Sequence, residues 1–239
     1  MKISDKLSDT YSDYYRNQDV LRKREISGRQ TLSHLNAVLP QKHYQSILDI
    51  GAGDGSVLAE LDRIGLASDL YAVEISTSGC ESIRQKQIKS LRSVAQFDGY
   101  AIAAKDHAYE LGLAVHVLEH VEHERVFLQE IARACDTVYI EVPLELTFNV
   151  ARSIQLAGPY GHINFYTLAT FQNLLRTTGL EILGLQVFSN SLEYEVFVSG
   201  ALKGRVNNFL RNTALRITPQ RAGFFMTYMA GALCKSVKT

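Results

Sequence analysis

Tryptophan is absent from the 239 residues, proline occurs four times, and cysteine three times. Cys80, Cys135 and Cys234 are odd in number and far apart, which excludes a disulfide framework and a zinc knuckle and fits a reduced, cytoplasmic setting. No stretch of about 18 apolar residues is present to span a bilayer, and the start MKISDKLSDTYSDYY is too polar for a signal peptide. Linkers rich in Pro, Gly or Ser are missing, as are internal repeats. Net charge is also missing: 25 basic residues face 25 acidic ones, so a global preference for nucleic acid is not indicated.

The zero conceals an asymmetry. No acidic residue follows Glu195, whereas Lys203, Arg205, Arg211, Arg216, Arg221, Lys235 and Lys238 all do. Removing those seven leaves 18 basic residues against 25 acidic ones, a body at −7 with a tail at +7. The tail is a candidate for weak contact with an anionic partner or a membrane surface.

What is present is enough apolar material, 46% of the chain, for one large core. SILDI (46–50) reads as a buried strand that stops at glycines. Val57, Leu58, Leu61 and Ile64 then recur at helical spacing until Gly65. LYAVEI (70–75), SVAQF (93–97), ELGLAVHV (110–117) and TVYIEV (137–142) supply further strands, with a helical pattern through Phe127, Ile131 and Ala134 between the last two. The alternation predicts a single α/β domain with a parallel sheet covered on both faces.

Flanking it, residues 1–40 read as an N-terminal helical segment that ends at Pro40. TLATFQNLLRTTG (167–179) is a helix with Thr167 as cap, and LEILGLQVF (180–188) a sixth strand. Residues 190–222 form a helical insertion with Leu202, Val206, Phe209 and Leu210 on one face. FFMTYMAGALCK (224–235) suits a seventh strand, though its length also suits a buried helix.

The loop after the first strand carries the chemistry. SILDIGAGDGS delivers Asp49 to a strand end, and Gly51, Gly53 and Gly55 allow the backbone to turn sharply and approach a ligand beside a helix N-terminus. Glu74 ends the second strand, 25 residues later, where a carboxylate accepts from both hydroxyls of a ribose. Asp98 follows the third strand by 24 more, suited to an adenine amino group. Ser56 stands where the third glycine of the dinucleotide motif belongs, and Asp49 puts negative charge where a pyrophosphate would lie. Both argue against a nicotinamide cofactor and for a ligand with a cationic amino or sulfonium group.

With these residues the chain resembles the class I S-adenosylmethionine-dependent methyltransferases over about residues 45–188. ILDIGAGDGS is similar to their first motif, YAVEIS to the second and QFDG to the adenine-side loop. YELGLAVHVLEHVEHERVFLQEIARAC resembles the ubiquinone-pathway O-methyltransferases, and GHINFYTLATFQNLLRTTGLEIL resembles related sugar and small-molecule methyltransferases.

The resemblance implies a Rossmann-like, doubly wound sheet of seven strands, mostly parallel with the last antiparallel. An N-terminal helical lid and an insertion before the last strand complete it. It implies that Asp49, Gly51 and Gly53 hold the methionine end of S-adenosylmethionine, Gly55 supports the turn, Glu74 holds the ribose and Asp98 the adenine. Ala52, Ile75 and Gly99 join the cofactor set, and His116 lies near the transferred methyl group. A small-molecule acceptor is implied, methylated on a hydroxyl oxygen. A non-catalytic S-adenosylmethionine-binding protein and a nicotinamide-dependent oxidoreductase remain as alternatives.

Two histidines, His116 and His162, are the candidate bases, because imidazole titrates near neutrality. In HVLEHVEH, His116, Glu119 and His120 would share one helical face, a set that suits zinc or a harder divalent ion. His116 replaces the first glutamate of the E-x-x-E-H string in the resembling enzymes, which weakens magnesium binding. Structural or substrate-positioning roles are therefore expected for this cluster, with no metal. Tyr11, Tyr14 and Tyr15 are candidates for a lid over the cofactor.

Overall fold

The computed structural model describes residues 18–219 and 221–237, so Tyr11, Tyr14, Tyr15 and Lys238 lie outside the described residues. The chain runs α1 (Gln18–Val38), β1 (Tyr44–Ile50), α2 (Ser56–Ile64), β2 (Ala67–Glu74), α3 (Thr77–Gln85), β3 (Leu91–Gln96) and β4 (Tyr109–Val115). It continues through α4 (Glu124–Ala134), β5 (Cys135–Leu144), α5 (Val150–Ala157), α6 (Leu168–Thr177), β6 (Leu180–Phe188), α7 (Leu192–Ser199), α8 (Ala201–Ile217), α9 (Ala222–Phe225) and β7 (Tyr228–Ser236).

The seven strands form one sheet in the order β3-β2-β1-β4-β5-β7-β6. β1 pairs in parallel with β2 and β4, and β4 with β5, whereas β7 runs antiparallel to both β5 and β6. The strand order reverses between β1 and β4, and a sheet of this kind opens a crevice at the carboxyl ends of those two strands.

Strict alternation along the strands builds two cores. Leu48 and Ile50 of β1 face a cluster with Phe127, Ile131 and Phe171 on one side, while Ile47 faces Leu35, Leu58, Leu70 and Ile83 on the other. The same alternation puts Tyr139 and Glu141 of β5 on one face, two residues apart, with β7 beyond them. Side chain at position 231 is excluded there, because a Cβ on Gly231 would overlap the Tyr139 hydroxyl.

Local signals explain the element ends. Gly65 caps α2 in the left-handed conformation, at φ 63°. Thr167 caps α6 in a reciprocal capping box with Thr170. Two expectations need correction. Residues 224–227 are not strand: α9 ends at Phe225, Met226 is extended, and β7 begins at Tyr228, where pairing with Leu144 of β5 starts. His116 belongs neither to β4 nor to a helix. β4 stops at Val115, His116 sits at φ 55°, and only Leu118–His120 form a 3₁₀ turn. A left-handed non-glycine residue cannot continue either element.

No helix among the described residues is long and apolar enough to cross a membrane.

Candidate active site

The glycine loop and the turn after β4 meet at the sheet crevice. Gly51, Gly53 and Gly55 all have positive φ (71°, 59° and 78°), and a Cβ on Gly51 would stand 2.6 Å from Cγ2 of Val117. The loop is held from three sides. Glu74 accepts from the Gly53 amide at 2.9 Å through one carboxylate oxygen, and from the Ser76 amide and hydroxyl at 2.9 Å through the other. Asp54 is fully buried and pairs with Arg24 of α1 at 3.2 Å and Lys86 at 3.1 Å. α1 itself crosses the start of α2 so closely that a Cβ on Gly28 would stand 2.8 Å from the Ser56 carbonyl.

Asp49 is the unsatisfied member. It is buried, and its Oδ2 has no hydrogen-bond partner. Burial raises its pKa to about 7 despite the opposing charge of Arg24, with Glu74 and Asp54 adding to the rise. An orphaned, partly protonated carboxyl under a glycine loop is complementary to a cationic amino group.

The resulting cavity has a volume of about 360 Å³ and reaches from Gly51, Glu74, Ile75 and Gly99 to His116 and His162. α1 lines it through Lys23, Arg24, Ser27, Gln30 and Thr31. Asp98 stands apart: it is exposed and its Oδ1 accepts from the Tyr100 and Ala101 amides, while its neighbours Phe97 and Gly99 line the cavity. Ala52 is buried in the loop.

At the far end sits a chain of charged groups. His116 Nε2 lies 3.3 Å from Glu141 Oε1, and its Nδ1 lies 3.3 Å from Glu119 Oε1. Glu141 Oε2 in turn accepts from Tyr139 Oη at 2.6 Å and contacts His34 Nδ1 at 3.0 Å. Burial opposes a charge on His116, but the two carboxylates outweigh it and raise its pKa to about 10. Glu119 and Glu141 are held below the usual carboxylate range by the histidines, against their burial. His116 is therefore an imidazolium at neutral pH and has no lone pair for a proton.

His162 is placed differently. Residues 161–166 are stitched to the turn after β4: the Ile163 and Asn164 amides donate to the Glu119 carbonyl at 2.8 and 3.0 Å, and the Asn164 side chain donates to Leu118 and Val121 carbonyls. That brings the His162 ring edge-on to His120, with centroids 4.8 Å apart. Its Nδ1 lies 2.7 Å from Glu145 Oε2, so Nδ1 carries a proton and donates it to the carboxylate. His120 has its Nδ1 3.1 Å from the Gly161 carbonyl, and burial pulls its pKa down.

Glu119, His120 and His162 offer one ligand atom each within 4.8 Å of one another. The metal-type grouping thus includes His162 and leaves out His116, unlike the helical-face set read from the sequence. Both oxygens of Glu119 lack hydrogen-bond partners, yet its charge is balanced by His116.

The sequence of residues 21–185 matches the model of the family described as "Methyltransferase domain". The chain belongs to this family of methyltransferases. It is an S-adenosylmethionine-dependent enzyme. Comparison with curated proteins finds no significant match.

Among solved structures, the methyltransferase fold recurs at low identity. A chain of the complex between the Haloferax volcanii Trm112 methyltransferase activator and a methyltransferase is 14% identical, with a TM-score of 0.70 over 97% of this chain and 99% of the other. Magnesium protoporphyrin IX methyltransferase from Synechocystis PCC 6803, solved with S-adenosylhomocysteine, is 14% identical with a TM-score of 0.58, covering 92% and 86%. The [4+2]-cyclase SpnF is 14% identical with a TM-score of 0.62, covering 89% and 82%. At this identity the likeness concerns the fold alone; what the methyltransferase does with its fold has to be argued from the site.

Proposed function

We propose that this methyltransferase acts on a hydroxyl oxygen of a small-molecule acceptor, with His162 as the general base and Glu145 as the residue that orients it. The observation that carries the reading is the 2.7 Å contact between His162 Nδ1 and Glu145 inside the cavity that also holds the glycine loop. An alcohol or phenol must lose a proton as it attacks carbon, and an imidazole braced by a carboxylate can take that proton.

S-adenosylmethionine supplies a methyl group already activated on a sulfonium sulfur. The chain's residues fit it: Asp49 and the Gly51–Gly53 backbone toward the ammonium end, Glu74 toward the ribose, and the Ile75, Phe97 and Gly99 wall toward the adenine. His116, with Nδ1 facing Glu119 and Nε2 facing Glu141, has both ring nitrogens committed and shapes the cavity wall instead of acting as a base. With two carboxylates to one imidazolium, this cluster carries a net charge of −1, which offsets positive charge in the cavity. Magnesium protoporphyrin IX methyltransferase, a structural neighbour solved with S-adenosylhomocysteine, is named for a small-molecule acceptor.

The test is a methyl-transfer assay over phenols, sugars, carboxylates and amines, run in parallel for the native chain and His162→Ala. Transfer to a hydroxyl, lost in the variant while S-adenosylmethionine affinity is retained, is expected. Preferential transfer to amines at an unchanged rate in the variant would overturn the assignment.

A further inference from the structure

The outer face of α8 is apolar and its inner face is polar, the reverse of a normal surface helix. Inward, Gly204 packs on the α7 backbone, Asn208 donates to the Asn190 carbonyl at 2.8 Å, and Arg211 pairs with Glu195 at 3.1 Å. Outward, Leu202 (81% exposed), Val206, Phe209 (69%), Leu210 and Ile217 (74%) recur at i, i+4, i+7, i+8 and i+15. The stripe is flanked by exposed Lys203 on one side and by Arg205 and Arg216 on the other. Soluble surfaces rarely carry so continuous an apolar patch without a partner.

The patch extends beyond the helix. After Arg221, Phe224 and Phe225 are both more than half exposed and form a ring cluster with Phe148 at 5.3–6.2 Å. Leu156 and Ile154 of α5 are also half exposed or more, and Leu156 lines the same cavity as Phe148 and Phe225. Between these elements lies a second cavity of about 310 Å³, lined by Phe148, Leu156 and Phe225. It shares Glu145 and Thr227 with the main cavity, so the patch opens toward the proposed base.

We propose that this face docks the enzyme on an anionic lipid bilayer, with α8 lying in the interface and the Phe148–Phe224–Phe225 cluster inserted beside it. The occupant follows from the charge pattern. α8 itself carries Lys203, Arg205, Arg211 and Arg216 and no acidic residue, so the charges bordering its apolar stripe are all positive. A helix with an apolar stripe bordered by Lys and Arg is the form that binds anionic bilayers without crossing them. A second copy of the chain would set these cations against one another. Docking stands independently of the methyl-transfer reading. A corollary rests on that reading: an amphipathic hydroxylated acceptor enters from the bilayer through the smaller cavity.

The test is sedimentation of the full chain with vesicles of equimolar phosphatidylglycerol and phosphatidylcholine, against vesicles of phosphatidylcholine alone. Binding to the anionic vesicles is expected, weakened by salt. Arg205→Gln and Arg216→Gln should each weaken it roughly fivefold, and Leu202→Ser with Phe209→Ser should weaken it at least tenfold. Calorimetry with S-adenosylhomocysteine, unchanged in these variants, shows that the fold and cofactor site survive and keeps docking separate from catalysis. Equal recovery with both vesicle types, or none with either, would overturn the proposal. So would a dimer in light scattering that Phe209→Ser converts to a monomer.

Discussion

His162 Nδ1 stands 2.7 Å from Glu145 Oε2, while His116 is caught between Glu119 and Glu141 at 3.3 Å on each side. One histidine has a single carboxylate partner, and the other has a carboxylate on each ring nitrogen. His162→Ala should lower kcat by about 10²–10⁴-fold with little change in S-adenosylmethionine affinity, and added imidazole should restore part of the rate. Glu145→Gln should lower kcat in the same direction, because it leaves His162 without the partner that fixes its tautomer. A steady-state comparison of kcat with calorimetric affinity checks both. Equal losses in rate and affinity would mean that His162 only shapes the cavity.

Asp49 yields a prediction about pH. Its folded pKa of about 7 lies above the value of an exposed carboxyl, so the ligand-free folded chain holds a proton there that the unfolded chain has released. Stability from this group is full below about pH 4 and is lost as the pH rises through about 7. Asp49→Asn should therefore raise the Tm of the ligand-free enzyme at pH 8, by up to roughly 4 kcal/mol in stability, with little gain at low pH. The same variant should bind S-adenosylmethionine more weakly, since the amide cannot pair with an ammonium group. Thermal melts at the two pH values, with and without ligand, give both signs.

Glu141 has the opposite sign. Its carboxyl is held low and His116 is raised to about 10, so their contribution is full between the ordinary carboxylate range and about pH 6.5, is lost as the pH rises through about 10, and is lost in acid as Glu141 takes a proton. Glu141→Gln breaks a buried ion pair, which costs about 3–5 kcal/mol. For a chain of this size that corresponds to a Tm lower by roughly 6–20 °C. Tyr139→Phe removes one neutral donor to the same carboxylate and should cost only about 1–3 kcal/mol. Melting both variants at pH 7 should rank them in that order. The His116 imidazole signal in NMR should stay in its cationic position up to pH 8 in the native chain and shift to lower pH in Glu141→Gln.

These residues also show what was legible in the sequence. β1, its glycine loop and the successive strands could be read because each is a local pattern: alternation or an apolar run ended by glycine. The paired role of His162 and Glu145 could not, since 17 residues and a helix separate them and only the stitching of residues 161–166 onto the Leu118–His120 turn brings them into one cavity. Glu141 left a faint signal, a lone acid inside an apolar strand, while its partners His34 and His116 come from α1 and the turn after β4. Asp54 hid within the glycine motif, its counter-ions 30 and 32 residues away at Arg24 and Lys86. The apolar stripe on α8 was visible as a stripe. Its direction was not, because periodicity says which residues share a face and nothing about where that face points.

Gly79 packs directly against the glycine loop although no motif contains it. It opens α3, capped by Ser76, and a Cβ there would stand 2.7 Å from the Gly53 carbonyl, 2.7 Å from Ser76 Oγ and 2.8 Å from Glu74 Cγ. Two of these three belong to the network that holds the glycine loop against Glu74, so the methyl group cannot be absorbed by a flexible side chain. Gly79→Ala should cost about 1–3 kcal/mol in stability and move the Glu74 carboxylate off the Gly53 amide. S-adenosylmethionine affinity should then fall by about tenfold for each 1.4 kcal/mol of binding lost. Gly158→Ala is the matched control: it has nothing within 4 Å of the added methyl and an ordinary helical backbone, at φ −52°. It should melt at or slightly above the native temperature and bind the cofactor unchanged. Calorimetric titration of both variants decides the matter, and native-like affinity in Gly79→Ala would show that the loop and α3 move apart more freely than their packing implies.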